Sequence, residues 1–228
     1  MPVNPNAEIE ITAYRWVPEF AQGVVRDIRA RWALEEAGLD YRERLIDVRN
    51  KPDGYVLEQP FEQVPALREG DIQMFESGAI VQYIGEKSEA LLPADEVGRY
   101  RAIQWVFAAM NSLEPAIMNL VLIDVFHAGD EWAKLRREGA ADFARLKLKR
   151  ISDWLGDKTW LEGERFTIGD LMMVTVLRNL RHTDMVGEFA NLAAYLQRGE
   201  ARPAFQRALE DQLAPFREHQ PQPEGEAA

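Results

Sequence analysis

From Glu8 to Tyr14 apolar and polar residues alternate, with Ile9, Ile11 and Ala13 on one side and Glu10, Thr12 and Tyr14 on the other. That period of two predicts a half-buried strand. After a connection, residues 15–23, the period lengthens: Val24, Val25, Ile28 and Trp32 form a helical stripe that stops at Ala37-Gly38. Tyr41 to Val48, apolar at Leu45, Ile46 and Val48, is the next strand. Strand, helix and strand in this order require a right-handed crossover and parallel pairing. Residues 49–63, with their Asn, Pro, Asp and Gly, predict a loop with one helical turn around Tyr55 to Glu58. Val64-Pro65 then precedes a short strand, where proline's missing N–H does no harm. Glu69-Gly70-Asp71 is a tight turn, Ile72 to Phe75 a second strand, and Ala79, Ile80, Tyr83 and Ile84 recur at helical spacing.

Beyond Ser88 to Asp95, read as a linker, the period is helical throughout. Ile103, Val106, Phe107, Met110, Leu113 and Ile117 predict one long helix over 96–124, bent at Pro115. A second covers 130–155, weakened at Gly139, and three shorter ones lie within 168–181, 189–198 and 203–213. Thr167 and Asp170 have the spacing of a capping box, with Phe166 and Leu171 placed as a hydrophobic staple. Asp170 is therefore a folding residue rather than a catalytic acid. The chain divides into an α/β domain of βαβ-ββα order over 8–87, a linker over 88–95 and an all-α domain over 96–218. Residues 1–7 and 219–228 are expected to be flexible tails.

A length of 228 residues suffices for two small domains, each with a core. The net charge of −11 argues against a general nucleic-acid or anionic-membrane surface, without excluding a local basic pocket. With no cysteine, the chain has no disulfide, thiol nucleophile or thiolate metal site, so any reactive sulfur arrives with a ligand. His127, His182 and His219 show no metal-ligand spacing, and no metal is expected. The basic run Arg145, Lys147, Lys149 and Arg150 reads as the wet face of a helix. No signal peptide and no stretch approaching the roughly 20 apolar residues of a spanning helix are read, which makes a cytoplasmic protein the expectation.

Ser77 sits where a strand becomes a helix, so its hydroxyl and the free amides of the first turn face one space that favours an anion. Val64-Pro65 followed by Phe75-Glu76-Ser77-Gly78-Ala79-Ile80 resembles the glutathione-binding half of the glutathione transferase family, a thioredoxin-like domain. The segments Arg31 to Tyr41 and Gln59 to Pro65 resemble it too, although Gln59 stands where the family often has Asn and Glu62 where it often has Gly. The capping box at Thr167 and Asp170 resembles that of the family's all-helical second domain. The resemblance implies a cis Val64-Pro65 bond, with Val64 pairing to the cysteinyl backbone of glutathione and Glu76 and Ser77 holding its γ-glutamyl ammonium and carboxylate. It also implies lesser contacts from Gln63, and from Arg49 or Lys51 to the glycyl carboxylate, and a homodimer.

Conjugation needs a thiolate, which the family generally stabilises with Tyr, Ser or Cys at or just after the first strand. Residues 15–23 contain no Ser, Thr, Cys or Tyr, and the connection is several residues longer than usual. Tyr14 resembles the tyrosine of the tyrosine-type classes. Trp16, Gln22 and Arg26 are competing donors, as are backbone amides at the start of the first helix. The acceptor pocket is expected between the domains, from Phe107, Met110, Asn111 and Glu114. The implied activity is transfer of glutathione to a small hydrophobic electrophile. Glutathione-dependent disulfide or peroxide reduction, and a non-catalytic binding or regulatory protein on the same fold, are the alternatives.

Overall fold

Strands β1 (Ile9–Tyr14) and β2 (Tyr41–Ile46) pair in parallel, Ile9 opposite Tyr41 and Tyr14 opposite Ile46, because helix α1 (Asp27–Ala37) carries the chain back between them. Gly38, at φ 66°, ends α1 with its amide on the carbonyls of Leu34 and Glu35. β3 (Ala66–Glu69) runs antiparallel to β1, and β4 (Ile72–Phe75) antiparallel to β3, so the sheet order is β2-β1-β3-β4. Helix α2 (Ser77–Glu86) follows directly, completing the βαβ-ββα order. This computed structural model describes residues 3–221.

In the second domain the chain is helical from Glu96 to Phe126, but not as one regular helix. Helix α3 (Glu96–Phe107) passes through a π turn (Ala108–Leu113) into α4 (Glu114–Val121), and a second π turn (Leu122–Phe126) closes the run. Pro115, at the start of α4, has no N–H for a preceding carbonyl, and the wider turn before it absorbs the mismatch. By length and composition this run is apolar enough to cross a membrane, against the expectation of no such stretch; 50% of its most apolar window is buried within the fold. It is apolar because it serves both the core and a cleft.

Helix α5 (Glu131–Leu155) continues unbroken through Gly139. α6 (Ile168–Leu177) is buried along its whole length, and the capping box at its start is formed. The Asp170 carboxylate accepts from the amides of Leu161 (2.9 Å) and Thr167 (3.0 Å) and from the Tyr195 hydroxyl (3.0 Å). A Cβ on Gly169 would lie 2.5 Å from Trp105 Cβ and 3.0 Å from the Ala102 carbonyl oxygen, so α3 and α6 touch where only glycine fits. Helices α7 (Ala190–Glu200) and α8 (Pro203–Glu218) complete the domain.

α1 joins the two halves. Trp32 is fully buried, its ring 4.8 Å from that of Phe205 on α8 and 5.5 Å from that of Phe166. The charges on α1 are buried as well: Asp27 pairs with Arg31 at 2.7 Å and accepts from Gln212 of α8 at 2.7 Å. Part of the expected N-terminal tail is docked, since Val3 bridges to Tyr41, the Asn4 amide donates to the Tyr41 carbonyl at 2.7 Å and Ala7 is buried. His219 to Pro221 of the expected C-terminal tail are exposed or at the end of α8; residues 1–2 and 222–228 lie outside the described residues. The linker is anchored by buried Leu91 and Leu92, the Leu91 carbonyl accepting from the Ile168 amide at 2.9 Å.

Candidate functional site

β1 delivers Tyr14 to the wall of a cleft of about 1060 Å³ between the domains. Tyr14, Gln22, Arg26, Gln63 and Val64 form one side; Glu114, Met118, Val121, Val125 and Phe126 form the other. The second wall follows from helical spacing, since positions 114, 118, 121 and 125 recur at steps of four and three along one face. Val64 is placed by local bonds: Thr12 Oγ1 accepts from the Ala66 amide at 2.7 Å, and the Tyr55 hydroxyl donates to the Gln63 carbonyl at 2.6 Å. The Val64-Pro65 bond is cis.

Tyr14 is half-buried, with Lys51 Nζ 4.8 Å from its ring centre. Burial, then the neighbouring Tyr55 and Asp27, push its phenol up to about 12. At neutral pH it is therefore a neutral O–H donor and not a base.

α2 begins at a strained corner. Glu76 has φ 71°, in the left-handed region that an L side chain rarely occupies, and such conformations concentrate at binding sites. No side chain caps α2, which leaves amides of its first turn free. Ser77 is 4% exposed, and its Oγ accepts from Arg29 Nη1 at 3.1 Å, so its own proton remains available to donate. The Arg29 side chain, 2% exposed, meets Glu114 at 2.8 Å, and Arg26 meets the same carboxylate at 3.0 Å. Burial alone would raise the Glu114 carboxyl, but the two guanidinium groups outweigh it and hold it below the usual carboxylate range.

The structure brings Tyr14, Gln22, Arg26, Gln63, Val64 and Glu114 to one cleft. Glu76 is exposed and Ser77 buried at the start of α2, linked to the cleft through Arg29 and Glu114 rather than lining it. Glu114 lines the cleft and is there the counter-ion of Arg26 and Arg29. Phe107, Met110 and Asn111, expected beside it, do not line the cleft. The π turn, which follows Phe107 and contains Met110 and Asn111, shifts the helical register before Glu114. Met110 instead packs over α2, its sulfur where a Cβ on Gly78 would stand (2.3 Å), while Phe107 and Asn111 are exposed. Trp16 is also absent from the cleft wall. The Gln22 side chain donates to the Val17 carbonyl at 3.1 Å, which commits its amide to the loop. Arg49 is exposed in its loop, whereas Lys51 is held beside Tyr14 and donates to the Val48 carbonyl.

Sequence reasoning missed Arg29, Arg178 and Arg181, along with Phe20, Met118 and Phe126. The 114–118–121–125 spacing was a signal for Met118; no local signal marks a buried arginine whose partner is 85 residues away. Among the described residues, no three His, Asp or Glu side chains assemble a metal-ligand set.

The glutathione S-transferase family matches this chain twice, its N-terminal domain over residues 21–86 and its C-terminal domain over residues 126–203. The glutathione S-transferase GstA of Escherichia coli is 30% identical over 185 residues, spanning 77% of this chain and 89% of that protein. The tetrachloro-p-hydroquinone reductive dehalogenase of Sphingobium chlorophenolicum is 25% identical, with coverage of 79% and 90%. Among solved structures, a glutathione transferase family member from Pseudomonas fluorescens, with two glutathiones bound, superposes at a TM-score of 0.79, with 24% identity and coverage of 90% and 93%.

Proposed function

This chain belongs to the glutathione S-transferase family, and from that premise we propose that it binds glutathione and activates the thiol for attack on a small hydrophobic electrophile, working in the cytoplasm. On this reading the Val64 backbone pairs with the cysteinyl part of the tripeptide, Glu76 meets the γ-glutamyl ammonium, and Ser77 with the α2 amides meets its carboxylate. Gln63 adds a contact, and Lys51, held beside Tyr14, or Arg49 serves the glycyl carboxylate.

Tyr14 is the thiolate donor. A thiol of ordinary pKa, near 8.5, is only a few per cent ionised at pH 7, and each unit of depression needs about 1.4 kcal/mol. A hydrogen bond to a charged acceptor supplies about 1.5–3 kcal/mol, enough for one to two units. With an aryl halide, the thiolate sulfur bonds to the ring carbon and the halide leaves with the electrons of the broken bond; the thiol proton has already gone to solvent. The observation that carries this reading is that Tyr14 and Val64 face one cleft that Met118, Val121, Val125 and Phe126 line with apolar side chains. Ultraviolet thiolate absorbance of bound glutathione against pH tests it: the thiol should ionise below its free value in wild type, and Tyr14→Phe should abolish the shift. A shift that survives Tyr14→Phe removes Tyr14 from the role, and binding without ionisation favours a non-catalytic module.

The cleft volume, about 1060 Å³, favours one second reading. That is room for two tripeptides, at the upper end of ordinary ligand pockets, and the Pseudomonas fluorescens protein is described with two glutathiones. In disulfide reduction one glutathione thiolate attacks the glutathionyl sulfur of a mixed disulfide. The S–S bond breaks, the displaced thiolate takes a proton, and glutathione disulfide is released. Turnover of a mixed disulfide with little conjugation of chlorodinitrobenzene would select this reading. For a homodimer, Leu57 and Phe61 on the first domain and Tyr100, Phe107 and Phe143 on the second offer exposed apolar surface.

A further inference from the structure

We propose that the acceptor end of the cleft selects aromatic electrophiles that carry a carboxylate, with Arg181 as the partner of that anion. The proposal rests on the transferase reading and names its substrate class.

Arg181 follows the short 3-10 turn Arg178–Leu180 after α6 and lines the cleft opposite the β1–α1 connection. Its Nη1 donates to the Gln22 carbonyl at 2.7 Å and its Nη2 to the Phe20 carbonyl at 2.6 Å. Those bonds use two of the five N–H groups of a guanidinium and none of its charge. The neighbouring cations are matched: Arg26 and Arg29 share Glu114, Arg178 pairs with Glu200, and Arg137 pairs with Asp124. Arg181 meets no carboxylate among the described residues. Arg178 lies close by, since a Cβ on Gly23 would lie 3.4 Å from Arg181 Nη1 and 3.5 Å from Arg178 Nη2. Arg181 is an exposed residue; partial burial of its guanidinium, and then the Arg178 charge, push it down, and an incoming anion would offset the Arg178 repulsion. Among the charges lining the cleft, Arg26 and Arg181 equal Glu19 and Glu114 in number, but Glu114 is already engaged by Arg26 and Arg29.

The walls beside Arg181 suit a flat ring. Phe20 and Phe126 meet edge to face, ring centres 5.3 Å apart, and Met118 and Val121 lie on the same lining. With a net charge of −11 the chain as a whole does not attract anions, so a preference for a carboxylate would have to arise locally.

The test is titration calorimetry of 4-nitrobenzoate and of the matched neutral 4-nitrobenzamide, on the full chain saturated with S-methylglutathione. Wild type should bind the benzoate about two- to fivefold tighter, which is what a pair with an exposed arginine supplies. Arg181→Gln should remove the preference. Equal affinities in wild type, or a preference that survives Arg181→Gln, would overturn the proposal. Because Arg181 also holds the Phe20 and Gln22 carbonyls, the wild-type comparison stands even if the variant folds poorly. Binding of glutathione disulfide that depends on Arg181, without binding of the benzoate, would also overturn the aromatic class. Turnover of 4-chloro-3-nitrobenzoate and its amide with glutathione is measured separately. A binding preference with no turnover of either sinks the transferase reading and leaves the carboxylate site standing; failure of S-methylglutathione to bind sinks the glutathione site, and the benzoate comparison is then read without it.

Discussion

Glu114→Ala probes the charge network that joins α1, α2 and α4. The substitution takes from Arg29 its contacts at 2.8 and 3.4 Å and leaves it the Ser77 hydroxyl at 3.1 Å. The Arg29 side chain is 2% exposed and cannot turn to water, and a buried pair broken from one side costs about 3–5 kcal/mol. Arg26, whose side chain is 42% exposed, can rehydrate, so its share is at most about 1 kcal/mol. The expected loss of about 3–5 kcal/mol lowers Tm by roughly 6–20 °C for a chain of this size. Arg29→Met combined with Glu114→Leu should recover much of it, because removing both charges costs less than orphaning one. Urea unfolding followed by tryptophan fluorescence, at fixed protomer concentration and with the m value compared, measures all three. A loss under about 1 kcal/mol for Glu114→Ala, or a double variant no more stable than the single one, would refute the reasoning. The Glu114 carboxyl is held below its ordinary value, so the pair's contribution is present above the unfolded pKa and disappears as pH falls through the lower folded one.

Ser77→Ala should weaken glutathione binding by roughly 1–3 kcal/mol, read by calorimetry, because a desolvated donor is lost beside Arg29; unchanged affinity would take Ser77 out of the site. Burial pushes the Asp170 carboxyl up to about 6, against the donors of Leu161, Thr167 and Tyr195. A raised folded pKa adds stability that is fully present below the unfolded value and is lost as pH rises through about 6. The stability gap between wild type and Asp170→Ala should therefore shrink by about 1.3 kcal/mol from pH 5 to pH 7 in urea titrations; a gap that grows would reverse the assignment. Gly169→Ala should cost roughly 1–3 kcal/mol in thermal melts, because its Cβ meets the Ala102 backbone oxygen as well as Trp105. A neutral result would mean that α3 and α6 separate easily.

Where interactions are local, the reading of residues and the structure agree closely. The hairpin at Glu69-Gly70-Asp71, the strand Ile72–Phe75 and the capping box at Thr167 and Asp170 each depend on residues within a few positions of one another. The cis Val64-Pro65 bond and the start of α2 at Ser77 belong to the same stretch, and they were legible through its likeness to a known family. The acceptor wall was misread for a definable reason. A stripe extrapolated from Ile103 through Met110 assumes 3.6 residues per turn, and the π turn at Ala108–Leu113 departs from that before Glu114.

By itself the sequence determined the order of strands and helices, the caps and turns that bound them, and the absence of a protein thiol, because each follows from composition or from contacts within about one helical turn. Only the tertiary structure decided which charges are buried. Asp27, Arg29 and Arg31 look like ordinary solvated charges of a helix, yet α8 covers one and Glu114, far along the chain, neutralises another. Packing likewise left Arg181 facing the cleft with carbonyls but no carboxylate, because a charge takes its partner from whatever the fold places within a few ångströms.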